Sequence, residues 1–148
     1  MHNYKKLIFI CSTNSFLSPL AETVFRRLSN LNIECFSRGI VVMFPEPISP
    51  RVNDILQSTL GFECTHESTI KLERNDITED TLLITMNTSE KIKIVEEYEV
   101  NEVYTLGEFI GLDVDVKDPY GQEDERYAEC TELLIGAVKE VIKKLSEG

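Results

Sequence analysis

Near its start the chain has a short apolar run, followed by a polar loop and the signals of a helix start. Residues 7–19 read Leu7-Ile8-Phe9-Ile10-Cys11-Ser12-Thr13-Asn14-Ser15-Phe16-Leu17-Ser18-Pro19. The four apolar residues at the beginning are mostly β-formers and predict a buried parallel strand. Ser18 followed by Pro19 has the pattern of a helix N-cap with proline at the first helical position. The stretch therefore predicts a strand, a tight loop and a helix.

The same alternation continues through the rest of the chain. Strands are predicted at residues 33–37, 81–86 and 102–106, and helices at residues 50–60, 89–98 and 123–145. In the helix at residues 89–98 the apolar spacing predicts that Ile92 and Val95 face inward. Because strands alternate with helices, we expect an α/β fold with a mostly parallel sheet covered on both faces. Ligands of such sheets bind at the carboxyl ends of the strands, which directs attention to the loop after the first strand.

Size and charge limit the classes of partner. The chain has 148 residues and a formal net charge of −11, which suits one domain spanning residues 1–148. Nucleic acids and anionic membranes require clustered positive charge, so neither is expected as a partner. No apolar segment has the length of a membrane span or of the core of a signal peptide. We expect a cytoplasmic monomer.

The four cysteines do not form a metal-binding pattern; they are Cys11, Cys35, Cys64 and Cys130. Their spacings contain neither a CxxC nor a CxxH pair, so we expect no metal and no cofactor. A chain of this length and apolar content also needs no disulfide framework. Reduced thiols are therefore expected, in agreement with a cytoplasmic location.

Cys11 is the candidate reactive residue, because it lies at the predicted carboxyl end of the first strand. Backbone N–H groups and the dipole of the following helix lower the pKa of a thiol at such a position. The same N–H groups form a binding site for an anion. A thiolate beneath a bound phosphate is arranged to attack phosphorus through a cysteinyl-phosphate intermediate. The alternative is that Cys11 is a small buried apolar residue of the core.

Two separated motifs resemble those of the low-molecular-weight protein phosphatases, a family whose members act on phosphotyrosine or phosphoarginine. Residues 9–22 resemble the family signature of a cysteine, five residues, and then Arg-Ser-Pro, commonly followed by Met-Ala-Glu. Asp118-Pro119-Tyr120-Gly121 resembles the Asp-Pro motif that carries the general acid. Weaker resemblances occur at Ser37-Arg38-Gly39, Ser49-Pro50-Arg51, His66 and Tyr104-Thr105-Leu106. The resemblance implies a three-layer αβα fold with a four-stranded parallel sheet in the order 2-1-3-4.

The resemblance also implies roles for individual residues. Cys11 would be the nucleophile, Ser18 would donate a hydrogen bond to its thiolate, and Asp118 would protonate the leaving group and then activate water. The substrate-binding residues would be Ser12, Thr13, Asn14, Ser15, Phe16, Leu17 and Tyr120, with the loop contributing backbone amides and Asn14 shaping it. The substrate would be a phosphorylated protein or a small phosphomonoester. Without the resemblance, Asp118 reads as a turn residue before proline and Tyr120 as a packing residue.

Leu17 is the main departure from the family pattern, because it stands where the family has arginine. That arginine is a planar fork that binds two phosphoryl oxygens and the charge that develops in the transition state. Leucine has no donor, and loss of one preorganised donor costs on the order of 10²–10³ in rate. We therefore expect either an impaired phosphatase or a pseudophosphatase that binds an anionic or phosphorylated ligand without turnover. A third hypothesis, a redox or acyl-accepting thiol at Cys11, is disfavoured by the absence of partner cysteines.

Three further residues bear on the shape and specificity of the loop. Thr13 stands where the family commonly has glycine, which predicts strain if that position needs a positive φ. Ser15 resembles the threonine of the arginine phosphatases more than the aliphatic residue of the tyrosine phosphatases. Arg38 stands where the family usually has alanine, in a turn beside the phosphate loop. Two interpretations of Arg38 remain open: it reaches the pocket and replaces the missing guanidinium, or it is a solvated surface cation.

Overall fold

The computed structural model describes residues 3–64, 67–100 and 102–147, and these residues contain a four-stranded parallel sheet. The strands are β1 (Lys6–Cys11), β2 (Glu34–Gly39), β3 (Thr81–Thr85) and β4 (Val103–Thr105). Their order is β2-β1-β3-β4, and each neighbouring pair is parallel. The predicted fold class and strand order are confirmed.

Helices cover both faces of this sheet. They are α1 (Leu17–Leu28), α2 (Pro50–Thr59), α3 (Thr88–Tyr98), α4 (Leu106–Ile110) and α5 (Asp124–Glu147). The core on one face is formed with α1 and α5, and the core on the other face is formed with α3. None of the described helices is long and apolar enough to cross a membrane.

The side chains of β1 supply both cores because they alternate between the two faces of the sheet. Leu7 and Phe9 belong to the core under α1 and α5, whereas Ile8 and Ile10 belong to the core under α3. All four residues are at most 1% exposed. This continuous apolar run holds β1 in the interior of the sheet, so Cys11 emerges at the carboxyl edge between β2 and β3.

The start of α1 differs from the prediction. The helix begins at Leu17 after Phe16, which makes no side-chain cap hydrogen bond. The prediction of Ser18 as the N-cap is wrong, because Ser18 lies inside the first turn and its hydroxyl contacts Cys11 instead. The corresponding prediction for α2 is confirmed, since Ser49 caps that helix through its side chain.

The chain after β4 turns into a helix that the sequence pattern did not predict. The hydroxyl of Thr105 accepts the amide of Glu108, and the carboxylate of Glu108 accepts the amide of Thr105. This reciprocal capping box ends the strand at Thr105, one residue before the predicted end. Leu106 is instead fully buried at the start of α4.

The inward face of α3 also differs from the predicted one. Ile92 and Val95 are 52% and 42% exposed, whereas Ile94 and Tyr98 are buried. The prediction is wrong because Glu90, Ile94 and Tyr98, which are spaced four residues apart, form the face that meets the sheet. The exposed apolar side chains of this helix therefore lie on its solvent side.

Gly39 lies where the end of β2 meets the loop that follows β1. A Cβ at this position would lie 2.7 Å from Cγ2 of Val42 and 3.0 Å from the backbone N of Asn14. The backbone of Asn14 cannot give way without moving the loop. The close approach of the two segments therefore requires glycine for steric reasons.

We predict that Gly39→Ala lowers the free energy of unfolding by about 1–3 kcal/mol, the usual cost of overpacking a dense interior. Gly136 is the matched control, because a Cβ there meets no heavy atom within 4 Å and the residue lies inside α5. Gly136→Ala should raise the free energy of unfolding by about 0.5–1 kcal/mol through helix propensity. Urea denaturation measures both effects, and a Gly39→Ala protein as stable as wild type would contradict the steric argument.

Candidate active site

The loop between β1 and α1, residues 12–16, is held in place by hydrogen bonds to its carbonyl groups. The amides of Ile40 and Val41 donate to the carbonyl of Ser12 at 3.0 and 2.8 Å. The amide of Ser49 donates to the carbonyl of Ser15 at 2.9 Å. Neighbouring segments thus donate hydrogen bonds to the carbonyl groups of the loop, and these bonds fix the path of the loop backbone.

Cys11 lies beneath this loop with donors directed at its sulfur. The residue is 3% exposed, and Sγ is 3.0 Å from Oγ of Ser18. Burial raises the pKa of the Cys11 thiol, the Ser18 hydroxyl and the amides of Ser18 and Asn14 lower it, and the charge of Glu90 raises it. On balance the thiol pKa is raised, so these donors do not fully offset the burial of the sulfur.

Asn14 fixes the shape of the loop through its side-chain amide. Its Nδ2 donates to Oγ of Ser18 at 2.8 Å and to Oγ of Ser37 at 3.0 Å, and its Oδ1 accepts the amide of Ile70 at 2.9 Å. Its backbone is left-handed, with a φ of 57°, a conformation that asparagine adopts more readily than most residues. The conditional prediction of strain at Thr13 does not hold, because the positive φ of this loop falls on Asn14.

Phe16 and Leu17 turn their side chains into the hydrophobic core. Leu17 is 1% exposed and belongs to the core under α1 and α5. Phe16 is 3% exposed and meets the ring of Tyr127 edge to face, with the ring centroids 5.2 Å apart. Any contribution of Phe16 and Leu17 to ligand binding must therefore come from their backbone amides.

A cavity of about 480 Å³ opens beside the loop. Its walls are formed by Thr13 and Ser15 of the loop, by the apolar residues 41–44, and by Glu46, Thr69, Asp118 and Tyr120. No lysine or arginine is found among the described residues that line it. The cavity thus combines the hydroxyl groups of the loop with an apolar wall and two carboxylates.

Asp118 is exposed and stands in a turn on this cavity. Its Oδ1 accepts the amide of Tyr120 at 3.0 Å, which fixes the carboxylate in an Asx turn. Pro119 is buried and Tyr120 is 85% exposed. The structure thus brings Asp118 and Tyr120 to the same cavity as Thr13 and Ser15.

Arg38 points to the face of the sheet opposite the loop. Its Nε lies 3.3 Å from Oδ2 of Asp76, its Nη1 donates to the carbonyl of Ser37 at 2.7 Å, and its guanidinium lies over Phe36. The hypothesis that Arg38 replaces the missing guanidinium is contradicted, because strand alternation places Ser37 on the loop side and Arg38 on the other. It is not a solvated cation either, since its side chain is only 16% exposed. His66, to which the resemblance also extended, lies outside the described residues.

Glu90 is a residue of this site that the sequence reasoning missed. It is 5% exposed, its Oε2 accepts the hydroxyl of Ser12 at 2.9 Å, and its Oε1 accepts the amide of Met86 at 3.0 Å. Burial raises the pKa of the Glu90 carboxyl group, although these donors lower it. The available signal was the spacing of Asn87 and Glu90, an N-cap residue followed three positions later by glutamate. Ser12 therefore directs its side chain at a buried carboxylate rather than at the cavity.

Comparisons with known proteins identify relatives over nearly the whole chain. The family model described as low molecular weight phosphotyrosine protein phosphatase matches residues 6–148. The low molecular weight protein-tyrosine-phosphatase PtpB of Staphylococcus aureus is 30% identical over 134 residues, which cover 90% of this chain and 94% of the relative. A protein-arginine-phosphatase of Geobacillus stearothermophilus is 26% identical over 143 residues, which cover 95% of each chain.

A solved structure shares the fold as well. The low molecular weight protein tyrosine phosphatase from T. tengcongensis matches with a TM-score of 0.87 at 29% identity, covering 94% of this chain and 98% of the other. The sheet order, the loop above Cys11 and the turn at Asp118 thus occur in a chain that the family model matches over residues 6–148. The chain belongs to the low-molecular-weight phosphotyrosine protein phosphatase family.

Proposed function

We propose that the protein removes phosphate from phosphorylated protein side chains with Cys11 as the nucleophile. The observation that carries the proposal is the environment of the Cys11 sulfur, which lies 3.0 Å from Oγ of Ser18 and faces the amides of Ser18 and Asn14. Donors in this arrangement stabilise a thiolate and the negative charge of a phosphoryl group above it. Phosphorylated proteins and small phosphomonoesters are the proposed substrates.

The proposed reaction has two steps. In the first, the Cys11 thiolate attacks phosphorus, an S–P bond forms, and the bond from phosphorus to the leaving oxygen or nitrogen breaks as Asp118 donates its proton to the leaving atom. In the second, the Asp118 carboxylate takes a proton from water, which attacks phosphorus and breaks the S–P bond. Inorganic phosphate is released, and Cys11 and Asp118 return to their starting states.

Leu17 is the reason to expect slow turnover, because the phosphoryl oxygens meet backbone amides without a guanidinium. The remaining stabilisation comes from the loop amides and from the amino end of α1, whose dipole favours an anion. The first turn of α1, all of whose residues are described, has no acidic side chain to oppose this effect. Asp118 supports an enzyme over a pure binding protein, because binding alone has no use for a general acid.

Features of the cavity support two substrate classes. The exposed side chains of Met43, Phe44 and Tyr120 offer an apolar rim that suits the aryl ring of phosphotyrosine. Glu46 and Asp118 place carboxylates in the same cavity, which suits the guanidinium of phosphoarginine. The relatives named above include a tyrosine phosphatase and an arginine phosphatase. Parallel assays of phosphate release from a phosphotyrosine peptide and a phosphoarginine peptide distinguish the two classes.

The test of the proposed function compares hydrolysis of p-nitrophenyl phosphate by the wild type, Cys11→Ser and Leu17→Arg. We expect slow hydrolysis by the wild type and none by Cys11→Ser, because the nucleophile is lost. We expect Leu17→Arg to gain on the order of 10²-fold or more, because a preorganised donor is restored. Leu17→Met is the matched control, since it keeps the buried volume and adds no donor.

Each outcome of this comparison has a separate meaning. Wild-type hydrolysis that survives Cys11→Ser would overturn the proposed nucleophile. Hydrolysis by Leu17→Arg alone would identify the natural protein as a pseudophosphatase that binds an anionic or phosphorylated ligand without turnover. Because Leu17 is buried in the core, thermal denaturation of every variant accompanies the kinetics and shows which preparations are folded.

We further predict that Asp118→Asn lowers kcat by about 10²–10⁴-fold on a phosphotyrosine peptide, whose leaving phenolate needs protonation. The loss should be smaller on p-nitrophenyl phosphate, because p-nitrophenolate is a good leaving group without a proton. The assay uses whichever of wild type and Leu17→Arg turns over faster. Asp115→Asn is the matched control: this aspartate accepts a hydrogen bond from Thr88 and is exposed in the same segment. Equal losses on both substrates would speak against Asp118 as the general acid.

A further inference from the structure

Glu90 is a buried carboxyl group beside the phosphate loop that no step of the proposed reaction uses. Its two oxygens accept the hydroxyl of Ser12 at 2.9 Å and the amide of Met86 at 3.0 Å. The backbone amides of Ser12 and Asn87 also lower the pKa of this carboxyl group, although burial raises it on balance. All of these donors are neutral, and the residue is 5% exposed. The fold therefore holds Glu90 firmly against the start of the loop.

The described residues around Glu90 supply hydrogen-bond donors but no ion-pair partner of opposite charge. Lys91, the next residue of α3, turns its Nζ to Glu108 of α4 at 2.8 Å. Asp115, from the segment that passes the start of α3, accepts a hydrogen bond from the first residue of that helix. No described lysine, arginine or histidine forms an ion pair with Glu90. The charge of Glu90 acts on the thiol of Cys11 and raises its pKa.

Cys11 and Glu90 depend on the same short stretch of backbone for their stabilisation as anions. The amides of Asn14 and Ser18 face the sulfur of Cys11, whereas the amide and hydroxyl of Ser12 face Glu90. Glu90 contacts Ser12, the neighbour of Cys11 in the chain, and two like charges held this near each other in a buried site disfavour each other. The geometry therefore favours one negative charge at this site, carried by one group or the other.

We propose that Glu90 is a positioning residue that competes with Cys11 for this charge: the ionised carboxylate keeps Cys11 a thiol, and its neutralisation releases the thiolate. The inference rests on the proposed function in one respect, because it takes the Cys11 thiolate as the reactive form of the residue. A phosphate monoester brings further negative charge, so the ionised carboxylate also opposes its binding. Anion binding is then coupled to uptake of a proton by Glu90, and affinity rises as the pH falls through the pKa of that group.

The test measures the thiolate directly, without a substrate. Alkylation of Cys11 by iodoacetamide is followed by mass spectrometry of the Cys11 peptide from mildly acidic to alkaline pH, in wild type, Glu90→Gln and Glu96→Gln. Glu90→Gln should move the alkylation midpoint to lower pH and raise the rate at neutral pH by about tenfold, the usual effect of a nearby like charge. Glu96 is exposed on the same helix, so Glu96→Gln removes an equal charge and should leave the midpoint unchanged.

A purely structural role of Glu90 gives a different result. If Glu90→Gln only loosened the loop, the greater exposure of Cys11 would also lower its pKa, but tungstate would bind more weakly than to wild type, and this outcome would overturn the proposal. If Glu90→Gln does not fold, Glu90→Met provides the second variant, because it removes the same charge and keeps a similar side-chain length. Its midpoint should move in the same direction by a similar amount, and an unmoved midpoint would overturn the proposal as well.

Tungstate binding in the same variants separates this inference from the proposed function. By calorimetry, Glu90→Gln should bind tungstate about tenfold more tightly than wild type at neutral pH, and should lose the gain in affinity that wild type shows toward lower pH. A midpoint that moves while tungstate binds neither form supports the competition for charge and overturns the proposed phosphate site. A midpoint that stays in place overturns the inference, whatever the tungstate result.

Discussion

The buried amide side chain of Asn14 is the constraint on which the geometry of the site depends. It joins Ser18 of α1, Ser37 of β2 and the backbone of Ile70, three points that are far apart in sequence. Ser37 in turn donates to the buried carboxylate of Glu22 at 2.5 Å, which extends the network into α1. The backbone of Asn14 is left-handed, with a φ of 57°. The Ser18 hydroxyl that contacts Cys11 is thus held by a hydrogen bond within the protein and needs no ligand to place it.

Most of the fold follows from the apolar runs, because a parallel strand buried on both faces requires an uninterrupted apolar segment. The run at residues 7–10 is such a segment, and the alternation of strand and helix patterns after it specifies the layers. The predictions are wrong at residues whose side chains are compatible with two different local structures. Serine is common at helix N-caps, but the hydroxyl of Ser18 hydrogen-bonds to Cys11 and Asn14 instead. Threonine is common in strands, but Thr105 forms a capping box with Glu108 that begins a helix.

The motifs predicted which residues meet at the site better than they predicted where side chains point. Cys11 and Ser18 meet because seven residues of strand end, loop and helix start bring them together. Arg38 could not be placed from local sequence, because its face depends on the pairing of β2 with β1. Glu90 was missed because an acidic residue near a helix start is ordinarily read as a partner of the helix dipole. Its burial depends on packing against a loop that is 78 residues away in sequence.

The burial of Leu17 constrains the order in which this protein can acquire substitutions. One side chain at position 17 cannot both fill the core under α1 and reach a ligand, so the position serves either packing or the anion. Removing a buried leucine side chain costs about 2–5 kcal/mol, against a total stability of about 5–15 kcal/mol for an ordinary domain. A change of Leu17 to arginine in a single step therefore weakens the fold. Stabilising changes elsewhere in the core offset this loss, so an arginine at position 17 is tolerated more readily after such changes than before them.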